Sequence, residues 1–301
     1  MYDVIVVGAG PAGMTAAIYA RRASKTVLLL EAVSYGGQII NTPDIENYPV
    51  EAHISGFDFS QKLYEQTNAL GAEFKFEKVV EIKYENALKT VITNKGSYEG
   101  KAVIIASGSE NRKLGVEGED ALRGRGISYC ATCDGNFYRN KVVAVVGGGN
   151  TALEDALYLA DLAEKVYLIH RRDSFRGEET TVSRLKERQN VEFVYNSTVT
   201  KLIAEKRLKA IEVTDKISGR VREIELNGLF VAVGRVPENQ NFANLVELDE
   251  AGYIVAGEDC RTKCAGVFVA GDNRTKTLRQ LVTATADGAM AATEAVKYIN
   301  L

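Results

Sequence analysis

Short runs of β-branched apolar residues alternate along this chain with longer stretches rich in alanine. Apolar runs of about four to eight residues predict buried strands, whereas longer stretches of small and apolar residues predict helices. Residues 3–7 form such a run, glycines follow, and residues 14–23 are rich in alanine. A second apolar run at 26–30 ends in Glu31. The pattern therefore predicts a strand, a helix and a second strand, which together make a βαβ unit.

The same order recurs later in the chain at a constant distance. The second copy is predicted as a strand at 141–146, a helix at 153–162 and a strand at 165–169. Gly147 stands 139 positions after Gly8, and His170 stands 139 positions after Glu31. The chain therefore contains two βαβ units built on one plan.

A glycine pattern opens each predicted helix. Its three positions are Gly8, Gly10 and Gly13 in the first copy, around Pro11 and Ala12, and Gly147, Gly149 and Ala152 in the second, around Asn150 and Thr151. In dinucleotide-binding units these positions make the tight turn, admit the pyrophosphate and let helix and strand pack closely. The N–H groups at the start of the helix then bind phosphate. Ordinary α/β sheets also have glycine-rich turns, but two copies in the same context predict two dinucleotide sites.

The two copies differ where the second strand ends. Glu31 offers a carboxylate to ribose hydroxyls, as in sites for NAD or FAD. The second copy ends instead in a basic run that holds His170, Arg171, Arg172 and Arg176. Guanidinium groups pair with phosphate oxygens, so this run favours the 2′-phosphate of NADPH. A solvated charged turn is the alternative interpretation, and His170 has no assigned chemistry.

The first unit lacks a complete sheet before the second begins. A buried strand at 102–106 precedes the second copy, and a partner strand at 266–272 and a closing helix at 281–298 lie near the C-terminus. The predicted fold is therefore α/β with two Rossmann-like domains, the second inserted into the first. The predicted domains are residues 1–112 with 238–301, and residues 113–237, with crossings near 111–115 and 234–238.

Composition narrows the class of protein. The chain has 301 residues, 46% of them hydrophobic and 26% charged, with a formal net charge of −3. This balance is that of a globular protein and argues against nucleic-acid binding, for which a basic surplus is expected. No signal peptide or membrane-spanning run is recognisable, so a cytoplasmic protein without membrane association is expected.

Cys130 and Cys133 are the residues most typical of redox chemistry. Two intervening residues allow their sulfurs to cycle between dithiol and disulfide. Cys260 and Cys264 could complete a zinc site with them, but their wider spacing and their place in the other predicted domain make this the weaker interpretation. Asp134 follows the pair and could donate a proton to a leaving thiolate. Equally, it could be a turn or helix-cap aspartate.

Several motifs in combination carry a family resemblance. They are GAGPAG at 8–13, GGQ at 36–38, ENYP at 46–49, CATCDG at 130–135, GGGNTA at 147–152, HRRDSFR at 170–176, GVFVAGD at 266–272 and the pair Arg279-Gln280. With them, essentially the whole chain resembles the low-molecular-weight thioredoxin reductases of bacteria, flavoproteins of the disulfide oxidoreductases with two dinucleotide folds.

The resemblance implies FAD in the first domain, NADPH in the second, thioredoxin as partner and a homodimer. Besides the first glycine pattern, the implied FAD contacts are Glu31, Gly36, Gly37, Gln38, Asn47, Gly271, Asp272, Arg279, Gln280 and Leu281. The implied NADPH contacts are Gly147, Gly149, Asn150, Thr151, Ala152 and the basic run. The implied catalytic residues are Cys130, Cys133 and Asp134. Cys133 would face the flavin, and Cys130 would attack thioredoxin.

The same resemblance implies movement of the domains. Cys133 lies fourteen positions before Gly147, so the dithiol and NADPH belong to one domain while the flavin belongs to the other. Both must reach the flavin, which predicts rotation about the two crossings. The chain departs from the family pattern at Cys260 and Cys264 and in the basic run at 273–276.

Some alternatives remain open at this point. Arg125, Phe137 and Tyr138 flank the cysteine pair and could form a docking patch for thioredoxin, or the two aromatic side chains could pack in the core. The enzyme could also serve another dithiol partner, such as a glutaredoxin-like protein or a peroxide-reducing system. From another class, the chain could be a non-catalytic flavin or zinc protein that senses redox state.

Overall fold

The structure is a computed structural model that describes residues 1–42, 44–85 and 88–301. The strands are β1 Tyr2–Val7, β2 Val27–Glu31, β3 Glu73–Phe76, β4 Val79–Glu85, β5 Leu88–Thr93, β6 Ser97–Ile105, β7 Glu110–Asn111, β8 Ile127–Ser128, β9 Val142–Gly147, β10 Lys165–Ile169, β11 Val191–Val194, β12 Ser197–Ala204, β13 Leu208–Asp215, β14 Val221–Glu225, β15 Gly228–Ala232, β16 Arg235–Val236 and β17 Val267–Val269. The α-helices are α1 Pro11–Arg22, α2 Gly56–Ala69, α3 Ala131–Asp134, α4 Asn150–Ala160, α5 Glu179–Lys186 and α6 Leu281–Ile299.

The chain divides into two compact units. Unit 1 comprises Met1–Glu110 with Val236–Leu301, and unit 2 comprises Asn111–Arg235. Each boundary between the units falls two residues before the predicted domain boundary, and the second lies within the predicted crossing at 234–238. The short strands β7 and β16 pair with each other at these crossings.

Unit 1 is built on a seven-stranded sheet with the order β3-β2-β1-β6-β5-β4, and β17 also pairs with β6. The strands β3, β2, β1, β6 and β17 run parallel. Alternate residues of β1 enter two different cores, since Val4 and Val6 pack on one face and Ile5 and Val7 on the other. Continuous apolar runs are expected for strands that are covered on both faces.

Helices α1 and α6 pack closely against each other in unit 1. A Cβ on Gly288 would overlap the carbonyl oxygen of Ala12, so a larger residue at 288 would push the helices apart. Small side chains on both helices, among them Ala16, Ala291 and Ala292, are fully buried in the same core. The alanine-rich composition that predicted these helices therefore allows α1 and α6 to pack closely together.

Unit 2 repeats the plan in a five-stranded sheet with the order β11-β10-β9-β15-β8, and it adds a three-stranded antiparallel sheet, β12-β13-β14. Strands β11, β10, β9 and β15 occupy the places that β3, β2, β1 and β6 have in unit 1. Helices α1 and α4, which follow the two glycine patterns, begin three residues earlier than predicted, at Pro11 and Asn150. The glycine turns themselves lead into the first helical turn. Within the described residues, no helix is long and apolar enough to cross a membrane.

Candidate functional site

The three glycines of the first loop have three different surroundings. Gly8 has φ of +105°, and a Cβ there would overlap the carbonyl of Ala106 at the end of β6. A Cβ on Gly13 would overlap the carbonyl of Gly8, so this position brings helix and strand together. Gly10, which caps α1, faces open space, and its nearest neighbour would be Gly37 Cα at 3.9 Å. The loop is thus closed on two sides and open at the helix N-terminus.

The second loop has the same arrangement. A Cβ on Gly147 would overlap the carbonyl of Ala232 and the side chain of Ala152. Gly149 caps α4 and has nothing within 4 Å of its Cβ position. Backbone N–H groups at a helix N-terminus attract phosphate. The open positions at Gly10 and Gly149 therefore fit the pyrophosphates of two dinucleotides.

Glu31 lies directly beside the first loop. Its Oε2 accepts a hydrogen bond from the N–H of Ala9 at 2.8 Å, and its Oε1 accepts one from the N–H of Val33 at 2.9 Å. Each carboxylate oxygen has a further lone pair. The carboxylate is therefore oriented by the backbone and still able to accept from a ribose.

The other residues predicted to contact FAD come from three separate segments of unit 1. The Gly36 N–H donates to the carbonyl of Ala9 at 2.8 Å, which brings Gly37 and Gln38, in a 3₁₀ helix at Gly37–Asn41, beside the first loop. The Asn47 Nδ2 donates to Gln280 Oε1 at 3.2 Å. Gln280 caps α6 in a capping box, and Leu281 is the first residue of that helix. Hydrogen bonds therefore join the segment around 36 to the first glycine loop, and the segment around 47 to the start of α6.

Asp287, which sequence reasoning missed, organises the loop after β17. Its buried carboxylate accepts from Arg274 at 2.8 and 2.9 Å, from Lys276 at 2.8 Å and from the N–H of Gly271 at 3.0 Å. Burial opposes ionisation, but the hydrogen bonds from Arg274 and Lys276 prevail and lower the pKa of Asp287. Both cations of the basic run at 273–276 are therefore paired with a buried carboxylate inside the unit. A charged residue within the alanine-rich helix pattern is the signal that could have revealed it.

Arg279 holds the same loop from its other end. Its Nε donates to the carbonyl of Asp272 at 3.4 Å and its Nη2 to the carbonyl of Arg274 at 3.2 Å. The guanidinium also lies over the ring of Tyr253, at 4.1 Å from its centroid. Asp272 and Arg279, both predicted to contact FAD, thus belong to one loop whose conformation Asp287 and Arg279 maintain.

Among the described residues, neither Cys260 nor Cys264 belongs to a disulfide or to a group of three or more side chains placed to hold a metal ion. Both are free thiols, and Cys260 is buried in the core of unit 1. Burial and the nearby Asp287 carboxylate raise the pKa of Cys260 to about 12, and burial also raises that of Cys264. Since thiolates are the reactive and metal-binding form, Cys260 is an inert packing residue. The interpretation of four cysteines as one zinc site is wrong, because Cys130 and Cys133 form a disulfide.

The basic loop after β10 is docked on the second glycine loop. The N–H of Arg176 donates to the carbonyl of Gly148 at 2.7 Å, and the N–H of Glu178 donates to Asn150 Oδ1 at 2.8 Å. The side chains of Arg171, Arg172 and Arg176 are exposed. None of the three pairs with a carboxylate in the part of the chain that the structure describes. The loop that carries these three exposed cations is therefore bonded to the glycine loop at the N-terminus of α4.

His170 has a packing environment. Its ring lies against Gly148, where a Cβ would overlap it, and it stacks on Phe175 with the ring centroids 5.2 Å apart. Burial lowers the pKa of His170, and the positive charges of Arg171 and Arg176 act in the same direction. His170 is therefore a buried packing residue whose ring contacts the glycine loop at Gly148.

The cysteine pair lies in a short helix of unit 2. Cys130 and Cys133 form a disulfide with Cα atoms 5.3 Å apart, Cys130 caps α3 and Asp134 ends it. The Asp134 carboxylate caps no helix, and its Oδ2 accepts a hydrogen bond from Ser128 Oγ at 2.6 Å. Burial raises the pKa of Asp134 and outweighs the opposing effects of Ser128 and Arg123. A carboxyl with raised proton affinity next to a disulfide is suited to proton donation.

The two aromatic residues after the disulfide have different environments. Tyr138 is 6% exposed and packs edge to face on Phe230, with Gly228 leaving room for its ring. Phe137 is 40% exposed. The core interpretation thus holds for Tyr138, whereas Phe137 and the exposed Arg125 are available to a partner.

Comparisons with known proteins agree with this organisation. The model of the family "Pyridine nucleotide-disulphide oxidoreductase" matches residues 2–288. The thioredoxin reductase of Listeria monocytogenes is 43% identical over 301 residues, covering 100% of this chain and 94% of the relative. That of Bacillus subtilis is 42% identical over 301 residues, covering 100% and 95%.

Solved structures agree as well. The thioredoxin reductase of Streptococcus pyogenes matches with a TM-score of 0.94 at 40% identity, covering 100% of this chain and 98% of that one. The Lactococcus lactis enzyme, in its FR conformation, matches with a TM-score of 0.70 at 39% identity, covering 100% and 99%. The predicted fold, with two Rossmann-like domains of the disulfide reductase type, is confirmed. The chain belongs to the pyridine nucleotide-disulphide oxidoreductase family, and the two full-length relatives compared with it above are thioredoxin reductases.

Proposed function

We propose that this chain is an NADPH-dependent flavoprotein that reduces the disulfide of thioredoxin. The observation that carries the proposal is the Cys130–Cys133 disulfide beside the buried Asp134 carboxyl, within the unit that presents three arginines at an open glycine loop. The full-length similarity to thioredoxin reductases supports the choice of thioredoxin over another dithiol partner.

The two loops fit different dinucleotides. In unit 1, the open position at Gly10 and the carboxylate of Glu31 suit FAD. We expect Asn47, Asp272 and Gln280 to contact the same cofactor, as the family resemblance implies. In unit 2, the open position at Gly149 and the basic loop suit the extra phosphate of NADPH. FAD bound in unit 1 would supply two-electron exchange between a hydride donor and a disulfide.

The two cysteines then reduce thioredoxin by thiol–disulfide exchange. Two electrons and two protons convert the Cys130–Cys133 disulfide into two thiols. Cys130, as thiolate, attacks one sulfur of the thioredoxin disulfide, which forms a mixed disulfide and releases one thioredoxin thiolate. Cys133, as thiolate, attacks the sulfur of Cys130, which restores the internal disulfide and releases the second thioredoxin thiolate.

Asp134 handles a proton in this exchange. Each released thioredoxin thiolate takes up one proton, and the thiols of Cys130 and Cys133 each give one up. Because burial raises the pKa of Asp134, this carboxyl holds a proton at a higher pH than an exposed aspartate does. It can therefore pass a proton from the dithiol side to a leaving thiolate.

Turnover requires the units to change their arrangement. Two thioredoxin reductases of nearly equal identity to this chain, 40% and 39%, match it with TM-scores of 0.94 and 0.70, and the second is described as the FR conformation. This difference between relatives supports rotation of unit 2 about the crossings at β7 and β16. An engineered disulfide between the units should permit only one half-reaction until a reductant opens it, and full turnover of the cross-linked protein would contradict rotation.

We also propose that the protein acts in the cytoplasm as a homodimer. The full-length similarity to bacterial thioredoxin reductases supports both parts of this proposal. Analytical ultracentrifugation at micromolar concentration tests the assembly directly. A single species at the mass of one chain, 32.8 kDa, would contradict the dimer.

The experiment for the function combines spectroscopy with turnover. The purified protein should be yellow, its flavin absorbance should bleach with NADPH, and it should then reduce thioredoxin catalytically. Faster reduction of a glutaredoxin-like protein in competition with thioredoxin would favour the other dithiol partner. A colourless protein that contains zinc would identify the non-catalytic sensor and overturn the proposal.

The basic loop provides a test of nucleotide choice. Replacing Arg171, Arg172 and Arg176 together by glutamine should raise the KM for NADPH about a hundredfold or more, because each hydrogen bond to a charged group is worth about 1.5–3 kcal/mol. The KM for NADH, which lacks the 2′-phosphate, should change little. Steady-state kinetics with both nucleotides measures the ratio.

The matched control is Arg220→Gln, which removes an exposed arginine from the β13–β14 turn of the same unit. It should leave both KM values unchanged. If the triple variant weakened NADH and NADPH equally, the loop would not read the 2′-phosphate.

A further inference from the structure

Ser128 lies at the end of β8, two residues before the disulfide, and is 3% exposed. Its Oγ donates to Asp134 Oδ2 at 2.6 Å and accepts from the N–H of Cys130 at 3.1 Å. The carbonyl of Cys130 lies 3.3 Å from the same oxygen. A hydroxyl has one hydrogen, so the shorter contact with Asp134 takes it. One buried hydroxyl therefore joins the backbone of a redox cysteine to the neighbouring carboxyl.

The two oxygens of Asp134 consequently differ. Oδ2 accepts from Ser128, whereas Oδ1 is buried and has no hydrogen-bond partner among the residues that the structure describes. A protonated carboxyl group has a single O–H donor. Since Oδ2 already faces the hydrogen of Ser128, the proton of Asp134 belongs on Oδ1.

Strand pairing sets the position of Ser128. Strand β8 pairs in parallel with β15, with Ser128 opposite Phe230, whose ring packs on the buried Tyr138. Tyr138 follows Asp134 in the next turn of the chain. Burial raises the pKa of its phenol, and the negative charge of Asp134 acts in the same direction. The serine is thus placed by the sheet, while the disulfide and Asp134 lie on α3.

We propose that Ser128 is a positioning residue, which holds Asp134 through Oδ2 and leaves Oδ1 as the atom that delivers the proton to the leaving thioredoxin thiolate. In that step the O–H bond at Oδ1 breaks, an S–H bond forms, and Asp134 becomes a carboxylate stabilised by Ser128. A dithiol proton then restores the acid. The proposal rests on the proposed function and adds to it the residue that orients the acid.

The sign of the pH effect follows from these contacts. The groups that act on the ionisation of Asp134 are Ser128 and Arg123, which both favour the carboxylate, while burial favours the acid. Loss of the Ser128 hydroxyl removes one stabilising contact from the carboxylate, so the pKa of Asp134 should rise further. Catalysis that needs the acid form would then persist to higher pH, although the badly oriented acid would work more slowly.

The test uses Ser128→Ala, Ser128→Thr and the matched control Ser197→Ala. Ser197 is another buried serine of unit 2, and its hydroxyl bonds only the nearby carbonyl of Tyr195 in the described structure. Carbon-13 NMR of aspartate carboxyls in the purified flavoprotein, assigned with Asp134→Asn, reports the ionisation of Asp134. Thioredoxin reduction over a pH series reports kcat, KM and the alkaline limb.

Ser128→Ala should move the Asp134 titration and the alkaline limb of kcat to higher pH and lower the plateau of kcat by up to about a hundredfold, with little change in KM. Ser128→Thr, which restores a hydroxyl, should return both, and Ser197→Ala should match the unaltered protein. An unmoved Asp134 titration in Ser128→Ala, or a threonine variant that behaves like alanine, overturns the proposal. Absence of thioredoxin reduction in the unaltered protein would count against the proposed function. The NMR titration of Asp134 needs no turnover, so it would still show whether Ser128 acts on this carboxyl.

Discussion

Cys133→Ser should abolish thioredoxin reduction, by about a thousandfold or more, while NADPH still bleaches the flavin absorbance. Loss of a nucleophile that acts as part of a unit commonly costs this much or more. Without the second sulfur, no internal disulfide can form to receive electrons, and the mixed disulfide with thioredoxin cannot be resolved from this side. Stopped-flow absorbance measures bleaching, and a thioredoxin-coupled assay measures turnover. The variant therefore separates the two half-reactions.

Two further cysteine variants make the test specific. Cys130→Ser should also lose thioredoxin reduction, because it removes the attacking thiol. Cys264→Ser is the matched control, since it replaces a free, partly buried thiol of unit 1 with a raised pKa. It should keep full turnover. Retention of thioredoxin reduction by Cys133→Ser would show that electrons bypass the pair.

Asp287→Asn should destabilise unit 1 by about 3–5 kcal/mol and release the FAD that we propose binds there. The carboxylate is the common partner of Arg274 and Lys276, whose side chains are 2% and 5% exposed. Removing one member of a buried ion pair leaves charges buried without compensation, and this is the origin of the large cost. Urea denaturation and flavin content after dialysis measure the two effects.

The matched control for this variant is Asp120→Asn. Asp120 pairs with Lys113 at 2.7 Å, but both side chains are largely exposed. Exposed ion pairs contribute about 0–1 kcal/mol, so this change should leave denaturation and flavin content almost unaltered. Equal denaturation midpoints for Asp287→Asn and the unaltered protein would refute the role given to Asp287.

The pH dependence of stability gives a second measure of Asp287. Its folded-state pKa lies below the ordinary value of 3.8, since the hydrogen bonds from Arg274 and Lys276 outweigh burial. The carboxylate therefore contributes stability that is complete above pH 3.8 and is lost as the pH falls towards the folded-state pKa. Asp287→Asn should remove this part of the acid dependence. A steep acid loss that is identical in both proteins would place its origin elsewhere.

Much of the architecture could be predicted because local sequence dictates it. Gly13 is required by its close approach to the carbonyl of Gly8 within one strand, turn and helix, and the offset of 139 positions exposes the second copy. The disulfide pair needs only the turn of α3 to bring its sulfurs together. These features depend on residues close in sequence, and for that reason their spacing was informative.

Other features depend on burial and on partners distant in sequence. Cys260 is inert because the core encloses it. Tyr138 and Phe137 are neighbours in sequence, but only Tyr138 is buried, since its side chain packs inside the unit while that of Phe137 is exposed. Asp287 acquires its role from Arg274 and Lys276, because the fold brings the loop that carries them against this residue of α6. Composition alone gave no means of distinguishing these residues from ordinary surface or core positions.

The sequence by itself determined that this protein has two dinucleotide-binding units, one inserted in the other, with a redox cysteine pair in the second. Short-range backbone geometry imposes those patterns, and glycine, alanine and cysteine spacings record it. Only the tertiary structure decided which charges are buried and compensated, which thiols are reactive and which oxygen of Asp134 is held by Ser128. Proton affinity and reactivity follow from the dielectric surroundings and hydrogen bonds of a side chain, and packing between distant segments creates both.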